Sequence, residues 1–93
     1  MAQTTAVRLT LRGRVHGVSF RDFAQRQAGH IGLVGYVRNV PDGTVEVVAE
    51  GRPSDLLHFI EELMEGPPQA RGTAVDTEWL TPTGGFAEFS IRD

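Results

Sequence analysis

Residues 34–49 read Val34-Gly35-Tyr36-Val37-Arg38-Asn39-Val40-Pro41-Asp42-Gly43-Thr44-Val45-Glu46-Val47-Val48-Ala49. Two β-prone runs flank Pro41-Asp42-Gly43, a triplet in which proline presets one turn dihedral and glycine tolerates a positive φ. The spacing predicts a hairpin of strands 34–40 and 44–49, with Val45 and Val47 on one face. Upstream, Phe20, Phe23, Ala24, Ala28 and Ile31 recur at helical intervals. Ser19 with Asp22 resembles a cap for a helix starting near Phe20, and Gly29 and Gly32 suit its exit. Before that helix, residues 6–12 alternate, with Val7, Leu9 and Leu11 on one side, as in a half-buried strand.

Downstream, Pro53 or Ser54 opens a second helix whose expected buried side is Leu56, Leu57, Ile60, Leu63 and Met64. Gly66-Pro67-Pro68 stops it, since proline lacks an N–H and disfavours a helical residue before it. Residues 75–80 predict a fourth strand with Val75, Thr77 and Trp79 on one face, Trp79 being assigned to the core. Residues 86–91 predict a fifth. The order is β-α-β-β-α-β with an extra C-terminal strand. That pattern predicts one α+β domain over residues 1–93, a ferredoxin-like two-layer sandwich with two helices on one sheet face. Such a fold hosts RNA binders, metal carriers, regulatory modules and enzymes, so function has to be argued from a site.

Composition removes several classes. The 93 residues include no cysteine, which excludes disulfides, thiolate metal sites and cysteine nucleophiles. The most apolar stretch, residues 31–37, is too short and glycine-rich to span a bilayer, and no signal peptide is visible. A cytoplasmic protein without a membrane partner is expected. The net charge of −3 is unevenly spread: residues 1–21 hold four arginines and no acid, while residues 22–93 hold five arginines and all twelve acids. Positive charge gathered near one loop suits a small anion, whereas nucleic acid asks for a broad basic face. His16, His30 and His58 are widely spaced without matching carboxylates, so no metal and no cofactor are expected.

The loop itself reads Gly13-Arg14-Val15-His16-Gly17-Val18-Ser19-Phe20-Arg21. Its glycines let successive N–H groups turn toward one point, and the helix that follows adds unpaired donors and a positive dipole end. The candidate anion ligands are the amides of Arg14, Val15, His16, Gly17, Val18 and Ser19 together with the planar fork of Arg21. The glycines equally suit a plain strand-to-helix turn, and Arg21 a solvated surface. Against that, arginine near a helix N-terminus opposes the dipole, a conflict that a bound anion resolves. Asn39, ending the second strand, either bonds local backbone or lies on the same sheet rim as the loop, beside the anion.

A site of one arginine, a ring of amides and one asparagine has no nucleophile, strong base or general acid. It suits a substrate whose leaving group is already good. An acyl phosphate, departing as a carboxylate, meets that condition without a metal.

Residues 11–21, Leu-Arg-Gly-Arg-Val-His-Gly-Val-Ser-Phe-Arg, closely resemble the first signature of the acylphosphatase family. Gly35-Tyr36-Val37-Arg38-Asn39, then Gly43-Thr44-Val45 and Gly51, resemble the second. The likeness continues to Phe89-Ser90-Ile91-Arg92, with one departure, His16 where the family usually has glutamine. The resemblance implies hydrolysis of acyl phosphates to carboxylate and inorganic phosphate, with Arg21 and the loop amides on the phosphate and Asn39 orienting water. A monomer is expected. The chain's ending just after its last strand is read as favouring a free-standing enzyme. Two other readings stand beside this one. One is a binding module, for RNA or a small anion, since Gly35-Tyr36-Val37 faintly echoes the aromatic-bearing strand of RNA-recognition domains. The other is an acylphosphatase-like domain acting on carbamoyl phosphate within a larger assembly.

Overall fold

The computed structural model describes residues 3–13, 15, 18–67 and 73–92. The elements are β1 (Thr5–Arg12), α1 (Val18–Ile31), β2 (Val34–Asn39), β3 (Val45–Gly51), α2 (Pro53–Glu65), β4 (Ala74–Leu80) and β5 (Phe89–Arg92). They form one sheet of order β4-β1-β3-β2-β5, in which β5 runs parallel to β2 and the other neighbours are antiparallel. This is the expected two-layer sandwich with its added strand.

Alternation decides which face of the sheet is covered. Val7, Leu9 and Leu11 of β1, Val45, Val47 and Ala49 of β3, and Val37 of β2 are all fully buried on one side. Phe20, Ala24 and Ala28 of α1 and Leu56, Phe59 and Leu63 of α2 close over them. Burying each large aliphatic side chain contributes about 1.5–3 kcal/mol, so this shared interior is the main source of stability. No described helix is long and apolar enough to cross a membrane.

Four expectations change in detail. Helix α1 begins at Val18, so Ser19 is an exposed residue of its first turn and not its cap. Helix α2 buries Leu56, Phe59 and Leu63, while Leu57 and Met64 are each 53 % exposed and Ile60 is half-buried. Phe59, absent from the expected stripe, takes the buried side instead and packs edge-on against Phe89 with ring centroids 5.8 Å apart. Trp79 is 48 % exposed and is not a core residue. It stands on the edge strand β4, beside Thr5, Pro53 and Leu57 around a shallow groove. Finally, β5 starts only at Phe89, because β4 and β5 occupy opposite edges and residues 81–88 must cross the end of the sheet as irregular backbone.

That crossing is pinned by Glu50, 3 % exposed at the end of β3. Its carboxylate accepts from Thr83 N at 2.8 Å, Thr83 Oγ1 at 3.0 Å and Gly84 N at 3.0 Å. Burial alone would raise its pKa, but these three donors outweigh burial and hold it below the ordinary glutamate value. Nearby, Gly35 has φ 142°, and a Cβ there would run into the Val48 carbonyl. Only glycine lets β2 lie that close to β3.

Candidate active site at one rim of the sheet

Strand register brings the end of β1, Asn39 and Arg92 to one end of the sheet. Leu11 of β1 faces Val45 of β3, Val45 faces Asn39 of β2, and the preceding β2 residue, Arg38, faces Arg92 of β5. The end of β1 and the first turn of α1 therefore lie at the same rim as Asn39. Gly13 takes φ 113°, and Val15 N donates back to its carbonyl at 3.0 Å. Val15 is fully buried, which ties the loop to the core between its polar neighbours. Arg14, His16 and Gly17 lie outside the described residues. The first turn of α1 carries no acidic side chain, leaving its dipole end to an anion.

Arg21 is carried on the side of α1 that faces β5. Its Nη1 donates to the Arg92 carbonyl at 3.5 Å, and one turn later Gln25 Nε2 donates to the Phe89 carbonyl at 3.3 Å. Helix α1 thus runs down β5 away from the rim, with the guanidinium at the top. Because Arg92 pairs with Arg38, Arg21 reaches the sheet one residue from Asn39.

Asn39 shares the helix-side face with Gly35 and Val37, by the two-residue period of the strand. The turn beyond it is stiff. Gly43 N donates to Val40 O at 3.0 Å, Val40 N to Thr44 O at 2.9 Å, and Asp42 Oδ1 accepts from both Thr44 N and Thr44 Oγ1 at 2.9 and 2.7 Å. Gly43 has φ 95°, as the Pro-Asp-Gly signal requires. Among the described residues, two buried side-chain polar atoms make no hydrogen bond: Oδ1 of Asn39 and Nε of Arg21, whose Nη1 is engaged by the Arg92 carbonyl. Leaving a buried carbonyl unsatisfied costs about 1–3 kcal/mol. A purely local role for Asn39 does not account for that carbonyl.

The charge asymmetry of the sequence overstates what gathers at the loop. Arg8 and Arg12 point to the helix-free face, where they pair with Glu78 at 3.2 Å and Asp76 at 3.1 Å across the β1–β4 register. On the same face Glu46 Oε1 accepts from Arg38 Nε at 2.7 Å and Tyr36 OH at 2.9 Å. Burial would raise the Glu46 pKa, but these two donors together with Arg8 hold it below the ordinary value. Arg92 stacks 3.9 Å over the Tyr36 ring, and Phe86 lies against that ring at 6.0 Å. This face is the one an RNA-recognition domain would use. Here its tyrosine is covered and its arginines are matched by carboxylates, so the geometry disfavours that reading. Sequence reasoning passed over Glu46. The turn length was the available signal, since a hairpin about Pro41-Asp42-Gly43 sets Glu46 opposite Arg38.

Comparison with known proteins identifies the family. The acylphosphatase family model matches residues 7–91. An acylphosphatase of Dehalococcoides mccartyi is 45 % identical over 87 residues, covering 92 % of this chain and 96 % of that protein. One of Thermus thermophilus is 51 % identical over 74 residues, covering 80 % and 84 %. The solved structure of an acylphosphatase from Coxiella burnetii superimposes with TM-score 0.88 at 35 % identity, over 96 % of this chain and 93 % of that one. By sequence and by fold, the chain belongs to the acylphosphatase family, whose activity is the hydrolysis of acyl phosphates.

Proposed function

We propose that this protein hydrolyses a small acyl phosphate at the rim, without a metal, Arg21 and the loop amides binding the phosphoryl group and Asn39 orienting the water. The phosphate ligands would be the amides of Arg14, His16, Gly17, Val18 and Ser19 with the Arg21 fork; the Val15 amide, expected among them from the sequence, is instead taken up by the Gly13 carbonyl. The carbonyl of Asn39 would accept a hydrogen bond from the attacking water and aim it at phosphorus, opposite the acyl oxygen. The water oxygen forms the new P–O bond, the bond to the acyl oxygen breaks, and the carboxylate leaves with its electron pair. The water proton passes to bulk solvent. Catalysis then consists of positioning plus stabilisation of charge on the phosphoryl oxygens, and the weakly basic leaving group makes a general acid unnecessary.

The single observation that supports this reading is the buried, unbonded Oδ1 of Asn39, in register with the loop-bearing end of β1. The reading includes one domain over residues 1–93, acting as a monomer in the cytoplasm, with neither nucleic acid nor membrane as partner. Benzoyl phosphate hydrolysis in excess chelator tests it. Turnover that survives chelation is expected in the wild type and is lost in Arg21→Gln. Metal-dependent turnover, or an Arg21→Gln variant with normal kinetics, overturns it. Sedimentation of the pure protein at a monomer mass checks the remaining element.

A further inference from the structure

The helix-free face carries a cluster that takes no direct part in the chemistry above. Glu46 lies at its centre with 19 % of its side chain exposed. One of its oxygens binds both Arg38 Nε and Tyr36 OH, and the other lies 3.7 Å from Arg8 Nε. Arg38 and Glu46 are direct cross-strand partners, and the next rung toward the rim is Asn39–Val45. The carboxylate is therefore anchored one residue from Asn39, behind the same strand end.

That position matters because of what Asn39 lacks. Its Oδ1 has no hydrogen bond to hold it, so the place of the carbonyl follows from the backbone that carries it. β2 ends at Asn39 and the turn beyond it is held by its own hydrogen bonds, so what remains to be limited is a small displacement of the last rung against β3. An isolated exposed ion pair would do little to prevent this. Glu46 differs, being largely buried and gathering two donors from β2 onto one oxygen, a charge-assisted arrangement with fixed geometry.

We propose that Glu46, through Arg38 and Tyr36, is a positioning residue for Asn39: it locks the end of β2 so that the carboxamide is held where it orients water. The inference rests on the assignment of Asn39 above. Arg21 is carried by α1, which contributes nothing to the Glu46 cluster, so phosphate binding is spared. The Tyr36–Arg92 stack, which does touch the strand bonded by Arg21, is left intact by the substitutions chosen here.

The experiment measures kcat and KM for benzoyl phosphate, and Ki for inorganic phosphate, in Glu46→Gln, Arg38→Gln and Arg38→Lys. Each Gln substitution is expected to lower kcat roughly tenfold, given that a full ångström of misplacement costs on the order of 10²-fold. KM and Ki stay near wild type, and Arg38→Lys recovers most of the turnover. Adding Glu46→Gln to Asn39→Ala is expected to cause no further loss, since both act on one element. Losses that multiply in the double variant, equal changes in kcat and KM, or unchanged kcat overturn the proposal. Should Glu46→Gln fail to fold, Arg38→Gln at its half-buried site decides by the same criteria, in the single variant and combined with Asn39→Ala. Full turnover in Asn39→Ala alone removes the assignment beneath the proposal, a different result from loss in Asn39→Ala with none in Glu46→Gln.

Discussion

The two ends of the sheet treat a buried acceptor in opposite ways. At the far end, Glu50 uses its carboxylate on three donors from the crossing segment, and the loop is fixed by it. At the rim, the carbonyl of Asn39 is also buried and bonds to nothing among the described residues. The first arrangement favours the folded state. The second costs stability, and a chain keeps such a group where it serves another end. The contrast sets a satisfied structural acceptor, Glu50, apart from an unsatisfied one, to which the proposed mechanism assigns the attacking water.

The largest effects should break this contrast if it is wrong. Asn39→Ala should lower kcat on the order of 10²–10³-fold, as loss of one transition-state contact does, with a smaller change in KM. Its unfolding midpoint should match or exceed that of wild type, because an unsatisfied acceptor is gone. Equal loss of activity and stability would show that Asn39 is structural after all. Gly35→Ala should act the other way, destabilising by at least about 2 kcal/mol in urea titrations, since positive φ and the Val48 carbonyl both oppose a side chain.

Glu50→Ala should cost about 1–2 kcal/mol with turnover of the folded protein unchanged. The figure is modest because Thr83 and Gly84 are exposed and can turn to water once released. The pH dependence sharpens the same point. Glu50 and Glu46 both have folded-state pKa values below their unfolded ones. Their contribution is fully present above the unfolded glutamate value of about 4.3, and is lost as pH falls through the lower folded values. The thermal unfolding temperature should therefore fall in that acid window, and Glu50→Gln should flatten the decline. The smallest effect belongs to Arg12→Ala, which removes an exposed pair with Asp76 and should leave unfolding and kinetics unchanged within error.

How much of this was legible beforehand varies by element. The hairpin was plain because Pro41-Asp42-Gly43 is local chemistry, and β1 because alternation is a property of one strand. Helix α2 lies one stripe off the expected one, since Leu57 and Phe59 are both apolar and only packing into the shared core selects between them. Trp79 was misassigned for a related reason: hydrophobicity does not say whether a strand lies at an edge. Of the site, Arg21 and Asn39 were singled out by motif, while Glu46 and Glu50 looked like ordinary strand acids.

By itself the sequence determined the identity and order of the elements, the loop chemistry available between β1 and α1, and the membership of a family. Those follow from dihedral preferences and periodicities acting over a few residues. Only the tertiary structure decided that Arg21 meets the sheet one residue from Asn39, that one carbonyl stays unbonded while Glu50 is satisfied, and which arginines are consumed by carboxylates. Each of these depends on strand order and register, set by burying one shared interior, and no short window of the chain contains that information.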